Sequence, residues 1–388
     1  MNLACVTHAY PRWDGDVAGA FVERLMLGLV NRGHAVHVIA PADEGRGGKE
    51  LRHRVPVTRV RYAPARWETL AYRGTMVAAA RTPWGMYAAM SLIVQLARAL
   101  ARLCREGNVD LVHAHWWVPG GMSAWLARRP YVVTLHGTDV ALLDRFTAAR
   151  WAARPVLRGA ALVTAVSSYL ATRAARAAAL DESVVVQPMP VDAQAFTRTS
   201  AGGGGVVTVG RLSPQKRVDL ILEAVGLLKQ RGRMLPLTIV GDGQERAALE
   251  RRAAELGIAA ETRFLGEVPP LRIPEAVGNA DVFAFPAAGE GFGLAAAEAL
   301  MLGVPVVAAT DGGGATDIVP ARGPGRRVAP GNAGELADAI DELAHDPASR
   351  RLAAEAGAAL RRRLEPAAVA ERFEALYRRA LKSARGRA

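Results

Sequence analysis

Short apolar runs alternate with amphipathic stretches along almost the whole chain. Residues 3–6, 35–40, 111–114, 131–135 and 162–165 are aliphatic and β-branched runs of strand length. Between them, residues 20–31, closed by Gly33, and residues 168–178 repeat their apolar positions with a helical period. The alternation pauses near Gln187 and restarts with apolar runs at 206–209, 237–240, 263–265, 281–285 and 306–308, with helical periods at 218–229 and 245–256. Near-continuous apolar strands separated by amphipathic helices predict parallel sheets covered on both faces. The fold class expected is α/β, with two Rossmann-like parallel-sheet domains.

The pause sets the boundary. The sequence QPMPVD and the small-residue segment 197–205 (TRTSAGGGG) cannot pack a core. We place a first domain at 1–192, a second at 193–365, and a helical, basic tail at 366–388 that returns to pack on the first. A chain of 388 residues suits two cores better than one. Two parallel sheets joined by a hinge are expected to face a central cleft, because ligands of such sheets bind at the carboxyl ends of the strands.

Charge changes this picture more than composition does. Residues 1–190 hold 23 Lys+Arg against 13 Asp+Glu, which is +10 of the net +12. A basic half attracts nucleic acid, anionic lipid or an acidic substrate. No basic run interleaved with aromatics is present, so nucleic acid is not an expected partner. A solvated arginine-rich surface is the competing reading. Residues 76–103 are apolar but interrupted by Arg81, Pro83, Gln95, Arg98 and Arg102, which argues against a membrane-spanning helix and leaves a surface-lying one open. The opening residues lack the pattern of a signal peptide, so the expected location is cytoplasmic, peripheral at the inner face of the membrane if a membrane is bound. Cys5 and Cys104 lie far apart in apolar surroundings and read as reduced core thiols.

Three stretches can do chemistry. In VGRLSPQKRVD, Arg211 and Lys216 lie on a loop leading into a helix and suit a diphosphate. In EGFGLAAAEAL, Gly291, Phe292 and Gly293 open a helix whose free N–H groups favour an anion. Glu290 and Glu298 flank this cradle, and carboxylates accept pairs of hydrogen bonds from vicinal hydroxyls. Leu294, Glu298 and Met301 share one helix face, which predicts a buried carboxylate. Together these residues describe a nucleotide-sugar site. His113 and His115 alternate on one strand face and read as packing or acceptor contacts. Asp14 and Asp16 in RWDGDVAG read as a turn, whose glycine loop, ending at Gly19, closes toward donor or acceptor.

The pairing of Glu290 and Glu298, with GRLSPQK, VGDG at 240–243, LHGTD at 135–139 and the final basic helix, resembles the retaining glycosyltransferases of family 4 over almost the whole chain. The resemblance implies the GT-B architecture, with acceptor binding by the first domain and nucleotide-sugar binding by the second. It implies that Arg211 and Lys216 hold the diphosphate, Glu290 the donor-sugar hydroxyls and Glu298 the ribose. Backbone groups at Phe292, Gly293 and Leu294 complete the phosphate site, and Val268 lies in the stretch that meets the base. His136 faces the donor sugar, with His115 and Asp139 on the acceptor side. No metal or other cofactor is implied. The sequence departs from many relatives in GGGATD, with Asp317 in place of Glu, and in MPVD at the hinge.

The expected function is transfer of a sugar from a UDP or GDP donor to an acceptor hydroxyl, with retention, in cell-envelope polysaccharide or glycolipid assembly. The expected partners are the nucleotide sugar, a sugar- or lipid-linked acceptor and an anionic membrane surface. A soluble natural-product acceptor, an epimerase or phosphorylase on the same fold, and a silent nucleotide-sugar or polyanion-binding module are the alternatives.

Overall fold

The structure, a computed structural model, describes every residue except 74, 75, 80, 181–183, 197–201 and 388. Part of the segment 197–205 expected as a junction therefore lies outside the described residues. The chain divides into two compact units, Met1–Val191 with Leu364–Ala388, and Asp192–Arg363.

The first unit is built on an eight-stranded sheet. Its strands are β1 (Asn2–Val6), β2 (Ala35–Pro41), β3 (Gly48–Arg52), β4 (Val55–Val60), β5 (Leu111–His115), β6 (Tyr131–Leu135), β7 (Leu162–Ala165) and β8 (Val185–Val186). The order is β3-β4-β2-β1-β5-β6-β7-β8, parallel except for the antiparallel β3–β4 pair. β1, β5, β6 and β7 are almost wholly buried, which is why they read as unbroken apolar runs. The sequence pattern missed β3 because GKELR is an exposed edge strand whose polar side chains carry no burial signal. Sheet order turns around between β1 and β5, so the loops that follow those strands border the crevice where such sheets bind ligands.

The helix Pro83–Glu106 begins where Thr82 accepts a hydrogen bond from the Gly85 N–H at 3.0 Å and proline takes the first turn. Ala88, Leu92, Leu96, Leu100 and Cys104, spaced by four, form its buried stripe against the sheet. Each leucine so buried contributes about 1.5–3 kcal/mol. The arginines in the stretch were expected to rule out a span, yet by length and composition this helix is long and apolar enough to cross a membrane. Its apolar stripe is nevertheless used on the sheet. Trp84, Met86, Tyr87, Met90 and Val94 stay exposed on its N-terminal half.

The last helix, Pro366–Arg387, belongs to the first unit, as expected for a returning tail. Val369, Ala370, Phe373, Tyr377 and Ala380 are fully buried, and the helix lies against Ala20–Asn31. Arg32 Nε donates to Glu374 Oε2 at 2.7 Å across that contact.

The second unit carries six parallel strands: β9 (Val206–Val209), β10 (Leu237–Val240), β11 (Thr262–Gly266), β12 (Val282–Phe285), β13 (Val306–Ala309) and β14 (Gly325–Val328). Their order, β11-β10-β9-β12-β13-β14, places the reversal of winding between β9 and β12. The loops after these two strands are the expected ligand position. β14 escaped the sequence pattern because GRRV hides two buried ends behind two arginines.

Candidate active site

Three loops meet at the carboxyl ends of β9, β12 and β13. Lys216 Nζ lies 2.8 Å from Glu290 Oε1 and 5.1 Å over the Phe285 ring. Gln215 Nε2 donates to Ala288 O at 3.0 Å and to Glu290 Oε1 at 3.2 Å, and the Ala288 N–H donates to Gln215 O at 2.9 Å. Arg217 grips both oxygens of Asp311, at 2.9 and 2.7 Å. The loop bearing Glu290 is thereby held from two sides, and Gly314 N–H donates to Glu290 O at 2.7 Å. Arg211, exposed just past β9, has no ion pair among the described residues.

The helix Leu294–Met301 starts from Gly293, whose φ of +86° is left-handed. A Cβ there would stand 2.8 Å from Ala315 Cβ, so only glycine lets the helix N-terminus approach this closely. Its first N–H groups have no partner within the helix, which favours an anion. Phe292 is partly exposed beside it. Glu298 sits half-buried one turn in, and Leu294 is 46% exposed, so the face they share is more open than its apolar spacing suggested, although Met301 is buried. A hollow at the ends of β9, β10 and β11 is lined by Gly210, Arg211, Gly241, Asp242, Glu267, Val268 and Ile273. It is continuous in sequence with the loop bearing Lys216 through Gly210 and Arg211.

In the first unit, His8, His115, Trp116 and His136 gather past the ends of β1, β5 and β6. His8 and Trp116 rings lie 4.1 Å apart, Trp116 and His136 4.4 Å, and His115 and His136 5.2 Å. His115 Nδ1 is 3.0 Å from His136 Nε2. Phe21, on the helix after Gly19, packs its ring at a tilt against His136, centroids 5.1 Å apart. Gly19 has a φ of +75°, and a Cβ on it would fall 2.1 Å from Ala9 O, so it locks this helix start onto the loop after β1. Burial drives the His8 ring down to about 4 and holds His115 and His136 well below the ordinary imidazole range, with charge repulsion from neighbouring histidines adding to it.

Two expected acceptor contacts are placed differently. His115 is fully buried and meets other rings, with its Nδ1 3.0 Å from His136 Nε2. Asp139 is 2% exposed, and its carboxylate accepts from the backbone N–H groups of His136, Gly137, Val140 and Trp117 at 2.9–3.3 Å. It shapes the His136 loop. Burial pushes its carboxyl above the usual range, against those four donors. Asp16 accepts from Arg12 Nε at 2.7 Å and from the Ala18 N–H, closing the turn at RWDGDVAG. No group of three potential metal ligands occurs among the described residues.

Residues 18–195 match the family described as Glycosyltransferase Family 4, and residues 200–360 match Glycosyl transferases group 1. A 2-deoxystreptamine glucosyltransferase of Streptomyces kanamyceticus is 32% identical over 289 residues, covering 65% of this chain and 73% of that protein. This chain belongs to glycosyltransferase family 4. A GDP-mannose-dependent alpha-(1-6)-phosphatidylinositol monomannoside mannosyltransferase of Mycolicibacterium smegmatis is also 32% identical, over 67% of this chain and 73% of that one. Among solved structures, sucrose-phosphate synthase from Thermosynechococcus elongatus superposes with a TM-score of 0.78 at 20% identity, covering 98% of this chain and 99% of that one. Anabaena HepE in complex with UDP and glucose gives 0.71 at 22%, covering 97% and 99%. These structural likenesses show the fold.

In this family 4 glycosyltransferase, Arg211 and Lys216 follow β9 and Glu290, the Gly293 helix start and Glu298 follow β12, the two strands at the reversal of winding in the second unit. The first unit adds what the motifs did not show: His8, Phe21 and Trp116 around His136, and Tyr377 behind them. His8 lies two residues past β1 and His136 directly past β6, and that nearness to strand ends was the available signal. Arg217 and Asp311 were also missed, because their pairing depends on two loops 94 residues apart in sequence.

Proposed function

We propose that this glycosyltransferase moves a hexose from a UDP or GDP donor to an acceptor hydroxyl with retention of configuration. The observation that carries the reading is the knot of loops holding Lys216 and Glu290 at the β9–β12 reversal, beside the helix start at Leu294. Arg211, Lys216 and the free N–H groups of that helix face the diphosphate and balance its charge without a metal ion. Glu298 accepts from the ribose hydroxyls, Glu290 from the donor sugar, and the backbone near Val268 meets the base. As the bond from the anomeric carbon to phosphate breaks, the acceptor oxygen bonds to that carbon from the same face. Its proton passes to the departing phosphate oxygen. Within the first unit, the family resemblance assigns Gly19 a role toward the donor and His136 a role toward the sugar.

The acceptor we favour is a lipid-linked or cell-envelope glycan at an anionic membrane. Residues 51–105 hold ten arginines and one acid, Glu68. On the same stretch Trp67, Trp84, Met86, Tyr87 and Met90 are exposed, with the Trp84 ring 5.1 Å from that of Trp67 and 5.2 Å from that of Tyr87. Apolar and aromatic side chains among arginines suit the interface of an anionic bilayer. The Mycolicibacterium relative, named for a phosphatidylinositol monomannoside, supports this reading. The relative named for 2-deoxystreptamine supports a second one, a soluble aminocyclitol-like acceptor. Flotation with phosphatidylglycerol vesicles decides: the wild type floats at low salt and a Trp84→Asp, Met90→Asp variant does not. A wild type that stays at the bottom of the gradient removes the membrane reading and leaves the soluble acceptor.

A further inference from the structure

The buried histidines of the first unit form an ordered set of proton positions. Tyr377 Oη, on the returning helix, lies 2.7 Å from His113 Nδ1, and His113 Nε2 lies 2.7 Å from Thr134 Oγ1. Thr134 Oγ1 is 2.7 Å from Thr164 Oγ1, which points on to Val133 O. Each proton is used once if Tyr377 donates to His113 Nδ1, His113 Nε2–H to Thr134, Thr134 to Thr164 and Thr164 to the carbonyl. In that order His113 is a neutral Nε2–H ring, and its ring centroid stands 4.2 Å from that of His115.

His115 and His136 share a single contact, Nδ1 to Nε2 at 3.0 Å; each neutral ring carries one N–H proton, and only one of the two can lie in that contact. His115 Nε2 is buried with no partner among the described residues. If His136 donated, the His115 proton would sit on that buried nitrogen as an unpaired N–H, the kind of orphan that folded proteins avoid most strictly. With His115 donating, the orphan is a lone pair and the His136 proton moves to Nδ1. We propose that His115 is a positioning residue that donates from Nδ1 to His136 Nε2, so that His136 presents Nδ1–H as a hydrogen-bond donor to an oxygen of the bound sugar or acceptor. His136 then has no free basic nitrogen, and taking the acceptor's proton falls to another group. Burial keeps both rings neutral, which favours this arrangement. The inference rests on the assignment of His136 to glycosyl transfer and adds to it the direction of the hydrogen bond and the residue that sets it.

Long-range proton–nitrogen NMR on protein labelled with ¹⁵N-histidine reads the tautomer directly, with His136→Gln identifying the His136 signals. The expected result is an Nδ1–H tautomer for His136 in the wild type and in His115→Asn, whose amide N–H replaces the donor. In His115→Phe the Nε2–H form appears. Turnover of the donor identified by binding is then expected to fall roughly tenfold or more in His115→Phe, the loss of one directed hydrogen bond. The donor KM stays within about twofold, and His115→Asn recovers most of the rate. A wild-type His136 with its proton on Nε2 overturns the proposal, as does a His115→Phe enzyme with unchanged kcat. Should His115→Phe not fold, the wild-type and His115→Asn spectra still decide. Absence of donor binding or turnover in the wild type would instead count against glycosyl transfer, leaving the tautomer result to stand alone.

Discussion

Replacing Lys216 with alanine removes the ammonium that lies 2.8 Å from Glu290 Oε1, with its stem over Gly210. The two side chains are largely shielded, at 21% and 16% exposed, but Glu290 Oε1 keeps the Gln215 Nε2 donor when the ammonium is removed, so the loss to folding is that of one hydrogen bond, about 1 kcal/mol. To a bound diphosphate the same ammonium supplies a charge-assisted hydrogen bond worth about 1.5–3 kcal/mol. Lys216→Ala should therefore weaken binding of the nucleoside diphosphate by roughly 10- to 150-fold while shifting folding stability by about 1 kcal/mol. Lys216→Arg keeps the charge and should recover part of the affinity, whereas Lys216→Met keeps the packing over Gly210 and should not. Titration calorimetry with UDP and GDP, and urea unfolding without ligand, measure the two quantities separately. An unchanged affinity in folded Lys216→Ala would refute the phosphate role. So would a stability loss as large as the binding loss, which would make Lys216 a structural residue.

Acid should destabilise the chain through its buried imidazoles. Burial pushes His113 down to about 3 against an unfolded value near 6.5, so in that window the unfolded state binds the extra proton. The contribution is intact above 6.5 and lost as pH falls, by about 2 kcal/mol at pH 5 for His113 alone. Urea midpoints at pH 7.5 and 5 measure it, and equal stabilities would contradict it. Gly293→Ala forces a side chain into a left-handed backbone against Ala315 and should cost at least about 1 kcal/mol and weaken nucleotide binding, read by thermal unfolding and calorimetry. Leu96→Ala, in the buried stripe of Pro83–Glu106, should cost about 2–5 kcal/mol in urea with nucleotide affinity unchanged.

The parallel strands were legible because burial on both faces writes itself as unbroken apolar runs: β6 and β7 lie where the pattern put them, and β9 and β10 likewise. β3, β4 and β14 were not, since an exposed edge strand, a strand interrupted by Pro56 and Arg59 and one with two arginines at its centre lack that signature. The second-unit site was legible because its groups sit on two local motifs, each complete within a dozen residues. The histidine cluster was less so. Its members come from four separate stretches, and only the folded sheet puts His8 beside Trp116 and Tyr377 behind His113. Spacing also misled at Glu298, where an apolar face at helical period is left open at Leu294. A helix period tells which side chains share a face, and the neighbouring elements decide whether that face is covered.

The measurement that bears most directly on the central claim is thermal unfolding of the wild type against a panel of UDP-, GDP-, ADP- and dTDP-sugars, with Glu298→Ala beside it. A ligand that binds only the folded chain stabilises it by about 2.7 kcal/mol at a hundred times its Kd. One nucleotide's sugars should raise the unfolding temperature of the wild type, and Glu298→Ala should lose most of that shift. A folded wild type that no nucleotide sugar stabilises would contradict the claim.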